Sequence, residues 1–495
     1  MSSDELFEQR LRRNLRRLAE ELVEGPGQDG RGVAGDRRWY QLPRPSRRGL
    51  RRILPGWSPR ASRALVALWV LSAALLLGGG IVAGLALAGP GAPYRTVRPG
   101  PEQAALDALP SPLAVVSGDQ LLTLSPGGPE KTMAHATIGS APQWSADGAW
   151  VAYLGPGGRL HAVAADGGRE LVLLPWPVTA FTWSPAADLL AAIPAAGPDA
   201  DHLVVTGPPR AEGSAGSPTV VGPLASSFVW SADGHDLAYT VPGAGSVPDR
   251  VVVVDLISGA RRTLPYRPPA GTGVQLAGFW PNGQGLLAWL DPGRSAAAEA
   301  TGLTLVALRL GSSVALPLAT TFVYLPWLAW SPGGRRLALV AQVGALPWLG
   351  SQVEICRPAL GRCHALPQPP GTVTLDPAWS PAGNELAVVR APELPTSGPG
   401  ASLDSWDLRR RLWVVPADGG QGRLVRGSAP GATAPRFGLT GTTLVYATAQ
   451  GVQSIPVQGG RSVGLLSGLR GALDTAGPDG FGKLPWGGVP AWQPS

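Results

Sequence analysis

The sequence predicts an all-β fold, a closed ring of four-stranded blades, set behind one membrane-spanning helix. A short motif recurs seven times, with its leading aromatic residue stepping by 39, 47, 49, 51, 49 and 58 positions. A cut-short eighth copy stands at the end of the chain. Residues 64–88 carry no charge and separate an arginine-rich segment from the repeats.

The apolar run, ALVALWVLSAALLLGGGIVAGLALA, covers roughly 37 Å as a helix, enough to cross a bilayer core of about 30 Å. Arg44, Arg47, Arg48, Arg51, Arg52, Arg60 and Arg63 precede it closely, and only Arg95 and Arg98 follow at similar distance. That asymmetry places the N-terminus in the cytoplasm and the repeats outside. A cleaved signal peptide is the competing reading, with Ala86-Leu87-Ala88 before Gly89 as its processing site. The length of the run and of the segment before it favours an anchor.

Charge follows the same division. Residues 1–63 hold 15 Arg against 8 acidic residues, leaving 26 basic and 26 acidic residues of the chain's 41 and 34 beyond the apolar run. The repeat region is therefore neutral. The basic excess suits anionic lipid headgroups rather than nucleic acid, and no nucleic-acid partner is expected. Within this segment Leu6, Phe7, Leu11, Leu15, Leu18, Leu22 and Val23 share one face of a helix over 3–24. Residues 25–63 read as a tether and 89–111 as an extracytoplasmic linker, both rich in Gly, Pro or Arg without an apolar period.

The repeats occupy 112–495. PQWSADGAWVAYL, FVWSADGHDLAYT and LAWSPGGRRLALV are three of them. Their anchoring aromatics are Trp144, Trp183, Trp230, Phe279, Trp330, Trp379 and Phe437, with Trp492 in the partial copy. Four positions on stands Gly148, Gly234, Gly283, Gly334, Gly383 or Gly441, and Ala187 is the exception. Glycine there allows a tight turn with positive φ. Further strand-like runs follow each copy, as at 251–256 with 261–264, and at 303–308 with 314–318. The spacing suits one four-stranded blade per copy. The runs 113–117 and 120–124 lack a leading motif, and the partial copy at Trp492 lacks successors. Joining them closes the ring and removes two open sheet edges. The count is eight blades, or seven if the Phe437 copy is incomplete.

The W-S-P-x-G-x-x-L-A pattern resembles the repeat of TolB-like β-propellers, also found beside prolyl-oligopeptidase-like catalytic domains. The resemblance spans 112–495 and implies a propeller in which each motif aromatic packs between blades. Asp147 and Asp233 keep the pattern's turn aspartate, whereas Ala186, Gly333 and Ala382 replace it.

Chemistry is scarce in the sequence. H-E-x-x-H, Walker A and paired-cysteine zinc patterns are absent, the G-x-S-x-G match at Gly460–Gly464 has no α/β pattern after it, and the five histidines are scattered. The expectation is no enzyme, no cofactor and no metal. Cys356 and Cys363, the only cysteines, flank a hairpin and are disulfide candidates in an exported domain. Connections between second and third strands are long and variable, as at 342–352 and 391–410, whereas first-to-second turns are uniform. Variable loops on a rigid scaffold point to binding. Trp348, Leu349, Asp404, Trp406 and Arg409 are the candidate contact residues there. In the alternative reading the two tryptophans fold back over the ring.

The function expected is a non-enzymatic scaffold or sensor binding a protein or envelope ligand on one face of the propeller. Transmembrane signalling through helix 3–24, in the manner of membrane-bound anti-sigma factors, is the alternative. A hydrolase or lyase with a loop-built site is a third.

Overall fold

The computed structural model describes residues 101–135, 138, 140–208, 218–245, 247–294, 302–342, 346–394, 403–467 and 491–493. The apolar run 64–88 and the helix over 3–24 lie outside the described residues. Among the described residues, no helix is long and apolar enough to cross a membrane.

The first sheet holds β1 (Leu113–Ser117), β2 (Gln120–Leu124) and β3 (Lys131–His135). A seven-stranded sheet follows: β4 (Gln143–Trp144), β5 (Trp150–Leu154), β6 (Arg159–Ala164), β7 (Glu170–Trp183), β8 (Leu190–Pro194), β9 (Leu203–Thr206) and β10 (Thr219–Gly222). β7 is 14 residues long and changes partner midway. Glu170 to Pro177 register with β6, whereas Val178 to Trp183 register with β8. One continuous strand thus closes one four-stranded meander and opens the next.

Five four-stranded antiparallel sheets complete the repeats, each a meander in chain order. β11–β14 are Ser227–Trp230, Asp236–Val241, Arg250–Asp255 and Arg261–Thr263. β15–β18 are Thr272–Phe279, Gly285–Pro292, Leu303–Arg309 and Ala315–Thr321. β19–β22 are Leu328–Trp330, Leu337–Ala341, Gln352–Arg357 and Arg362–Ala365. β23–β26 are Thr372–Trp379, Glu385–Pro392, Arg411–Pro416 and Arg423–Leu424. β27–β30 are Thr433–Phe437, Thr443–Thr448, Gly451–Pro456 and Val463–Ser467, so the Phe437 copy carries all four strands.

The ring closes through β31 (Ala491–Trp492), which adds to β1 with Leu113 opposite Trp492 and Ala114 opposite Ala491. Gln493 N–H donates to the Pro112 carbonyl at 2.9 Å, and Ser111 Oγ to the Gln493 carbonyl at 2.9 Å. Elements far apart in the chain therefore share one blade, as the unpaired sequence runs predict.

The described end of the segment expected as a linker, 89–111, contains a helix. Residues Pro101–Asp107 form helix α1, with proline in its first turn and Glu102 at its positive end. Ala105, Leu106 and Leu109 are buried against Leu113, Leu465 and Leu466. This apolar stripe draws the segment onto the first and last sheets, and composition alone does not disclose it.

The uniform turn has a uniform cause. In five copies a buried serine follows the aromatic residue, at Ser145, Ser184, Ser231, Ser331 and Ser380. Its backbone N–H donates five residues ahead, as from Ser145 to Trp150 at 2.9 Å and from Ser231 to Asp236 at 2.9 Å. The hydroxyl accepts a return bond, from Trp150 N–H at 3.0 Å and from Asp236 N–H at 2.8 Å. Gly148 and Gly234 sit at φ 70° and 67°, the left-handed region that glycine enters without steric cost. Where the turn aspartate is present, Asp147 and Asp233 accept from the serine hydroxyl at 2.7 and 2.6 Å.

The tryptophans latch neighbouring blades together. Trp144, Trp183, Trp230 and Trp379 each donate the indole N–H to a backbone carbonyl just before the previous copy's aromatic. The acceptors are Ala491 (3.2 Å), Gln143 (3.1 Å), Thr182 (3.2 Å) and Ala329 (2.8 Å). Phe279 and Phe437 have no N–H to give. The bonds run from first strand to first strand, so these strands are the innermost of each meander and surround the axis. The apolar core lies between successive sheets. Val251, Val253 and Leu264 of one sheet, for example, meet Val274, Phe279 and Leu286 of the next.

Candidate functional site

The innermost strands enclose an axial cavity of about 620 Å³ beside the closing strand. β19, β23, β27 and β31 supply its wall. Trp330, Trp379, Phe437 and Trp492 contribute aromatic faces, and prolines including Pro326, Pro377 and Pro435 contribute rigid apolar ones. Asp376 and Arg436 are the charged side chains in the lining.

Two neighbouring bulges place those charges. The register slips between Leu375 and Ala378 in β23, and between Thr433 and Arg436 in β27. Asp376 and Ala434 sit inside these slips at φ 51° and 48°, unfavourable for residues with a Cβ. The Asp376 carboxylate holds them together. It accepts from Trp327 Nε1 at 2.7 Å, Thr433 Oγ1 at 2.7 Å and Ala434 N–H at 3.0 Å. Strained backbone held by a side-chain network is a recurring mark of binding sites.

Trp327 is buried and meets the rings of Phe322 and Tyr324 edge to face, with centroids 5.8 and 5.5 Å away. Burial pushes the Tyr324 phenol above its ordinary pKa, and the negative charge of Asp376 adds to the shift. The Arg436 guanidinium stacks 4.9 Å from the Trp492 ring centre, and burial lowers its pKa. The cavity is thus an aromatic and proline cage with one carboxylate and one guanidinium, suited to an apolar chain with few polar groups.

Of the residues expected on the loop face, Trp406 is turned into the core. Trp406 lies on helix α2 (Leu403–Asp407) and is fully buried, with its indole N–H donating to the Pro392 carbonyl at 2.7 Å. It is no surface anchor. Trp348 is half-buried and packs against the same core cluster. Leu349 is half-buried and Arg409 exposed, while the side chain of Asp404 lies outside the described residues. The reason is visible in the bonding between the two loops. Leu394 N–H donates to the Trp348 carbonyl at 3.1 Å, and Gly350 N–H to Glu393 Oε1 at 3.0 Å. The buried Arg410 stacks on the Trp406 ring at 5.9 Å and faces Asp407 at 3.6 Å. The long connections cover the core here.

Cys356 and Cys363 are directly opposite across β21 and β22 and are joined as a disulfide. Glu354 lies beside both sulfurs. With the sulfurs bonded to each other, the trio lacks the thiolates a metal needs. Sequence reasoning missed the Asp376–Ala434 pair. Its one sequence signal is an aspartate at position 376, within a strand that otherwise reads as apolar.

No protein-family model matches the chain, and comparison with curated proteins returns no match. Among solved structures, prolyl endopeptidases are similar at 14% identity and TM-score 0.39, over 74% of this chain and 51% of theirs. TolB from Acinetobacter baumannii is similar at 15% identity and TM-score 0.30, over 63% of this chain and 65% of that one. Kuenenia stuttgartiensis hydrazine synthase is similar at 17% identity and TM-score 0.38, over 65% and 97%. The chain spans about half the length of the prolyl endopeptidases. The successive four-stranded meanders and the indole latches between them are those of a propeller.

Proposed function

We propose that this chain is a single-pass membrane protein displaying an extracytoplasmic, eight-bladed TolB-like propeller that binds a protein segment without chemical conversion. The carrying observation is the preformed axial cavity, lined by aromatic and proline faces and buttressed by the strained Asp376–Ala434 pair. The count of eight takes β7 as shared by two blades and β31 as completing another. The charge-free run 64–88 and the arginines before it support the anchor and its direction. The cavity's two charged groups are already engaged, Asp376 by three donors and Arg436 by Trp492. That engagement suits recognition better than proton transfer.

The test uses a photo-crosslinking residue in the full chain in cells. Leu439 lines the cavity and is 68% exposed, so it tolerates replacement. Crosslinker at Leu439 should give a discrete protein adduct, and adding Ala378→Trp to fill the cavity should abolish it. Crosslinker at the exposed Val314 on a distant hairpin should give none. No adduct at Leu439, or the same adduct at Val314, would overturn the reading.

A further inference from the structure

A second cavity of about 510 Å³ opens off the axis, at the end of the blades that carries the short turns. One wall is the motif turn of β19–β20 with Gly334 and Arg335, and the opposite wall is the hairpin tip between β21 and β22. Trp280 and Trp330 supply aromatic surface, and Pro358 and Leu360 the apolar tip. Leu360 is 56% exposed and presents apolar surface at the tip.

Arginine is concentrated at this cavity, although the repeat region as a whole is neutral. Three arginines line it and no carboxylate does. Arg336 is engaged, donating to the Gly383 carbonyl and stacking 4.6 Å from the Trp379 ring centre. Arg309 reaches in from the neighbouring blade and donates to the Ala359 carbonyl at 3.0 Å, tying down the tip. Arg335 and Arg357 are exposed, and their side chains form no ion pair or hydrogen bond with another described residue. Two guanidiniums without a partner among the described residues thus line one largely apolar cleft. The chain's sole disulfide, Cys356–Cys363, fixes the hairpin that carries one of them. Rigid walls lower the entropic cost of holding a ligand, and the planar guanidinium fork matches a carboxylate with two parallel bonds.

We propose that this cleft binds a small organic carboxylate, its apolar ring or chain against Trp330 and Leu360 and its carboxylate between Arg335 and Arg357. This site is independent of the axial cavity apart from the shared wall at Trp330.

The test is equilibrium binding of 1-naphthoate to the purified full chain, with 1-naphthylmethanol as the uncharged counterpart and inorganic phosphate as the bare anion. One saturable naphthoate site is expected. Arg335→Ala with Arg357→Ala should weaken it on the order of 10- to 100-fold, and the double lysine variant should recover part of the loss. Leu360→Ser should weaken naphthoate several-fold, and Leu439→Glu in the axial cavity should leave it unchanged. Melting curves matching the parent chain keep the exposed-site variants interpretable. No saturable binding, equal binding by the double alanine variant, or naphthylmethanol binding as tightly as naphthoate would overturn the proposal. Phosphate competing as well as naphthoate would overturn the assignment to an organic carboxylate. Loss of naphthoate binding in Leu439→Glu would move the site to the axial cavity.

Discussion

At one end of the blades, second and third strands are joined by long, variable connections. At the other end the first-to-second turns are short and alike, shaped by a buried serine in five copies and by a positive-φ glycine in six. The long connections around Trp348 and Trp406 bond to one another, bury the Trp406 ring and pack the half-buried Trp348 on the same cluster, so they thicken the core of the blades they join. The uniform end leaves Leu360 and Leu439 exposed beside cavities. Loop length measures how much chain is present. Whether that chain is free depends on what its apolar residues find to cover.

The contrast can be broken most directly at Trp406. Replacing it with alanine removes a fully buried indole and leaves the Pro392 carbonyl without its donor. A loss of about 3–5 kcal/mol is expected, read as a large fall in the urea midpoint followed by circular dichroism. A change below about 1 kcal/mol would return Trp406 to the surface. Next comes the double serine variant at Cys356 and Cys363, whose sequence separation is 7. Closing so short a loop is worth about 2 kcal/mol, and the same fall should follow mild reduction of the parent chain. Identical midpoints with and without reductant would mean the bond is absent in solution.

Trp379→Phe tests the latches on a smaller scale. It keeps most of the ring but removes the 2.8 Å bond to Ala329. A cost of about 1 kcal/mol is expected, and Phe279 and Phe437 show that the position accepts a phenyl ring. A cost as large as that of Trp406→Ala would mean the indoles, rather than the intersheet clusters, hold the ring together. Leu408 is 59% exposed, next to the buried helix. Leu408→Ser should shift the midpoint by less than about 0.5 kcal/mol, marking where the covering of the core ends.

Much of the propeller was legible because each blade repeats its own instructions. Aromatic, serine and glycine recur at fixed offsets, and each has a local physical task in its turn or latch. The closing pair of 113–117 with Trp492 was legible as two incomplete pieces that complete each other. Helix α1 was not, since three apolar residues in a Pro- and Gly-rich stretch become a helix only when Leu465 and Leu466 offer a surface. The candidate site was the least legible part. Trp348 and Trp406 read as anchors because composition cannot distinguish an indole facing water from one facing a core. Asp376 and Ala434 meet across two blades and 58 positions of sequence, and the bulges that join them have no signature in either strand alone. The doubled arginine at 335–336 was visible in its motif copy. Its meaning depended on Arg357 lining the same cleft from another hairpin.

The prolines of the axial wall carry a final consequence. Apart from β7, each innermost strand is the margin of its sheet, the place where a foreign peptide would ordinarily join by strand addition. Pro377 and Pro435 stand within two of those margins and have no N–H to donate. Under the proposed binding role, a segment entering the cavity would find a ladder donor missing in each of these two strands and so pair poorly with them. Stacking and side-chain contacts would then hold it, leaving it able to slide or turn along the axis and to leave without unpicking a sheet.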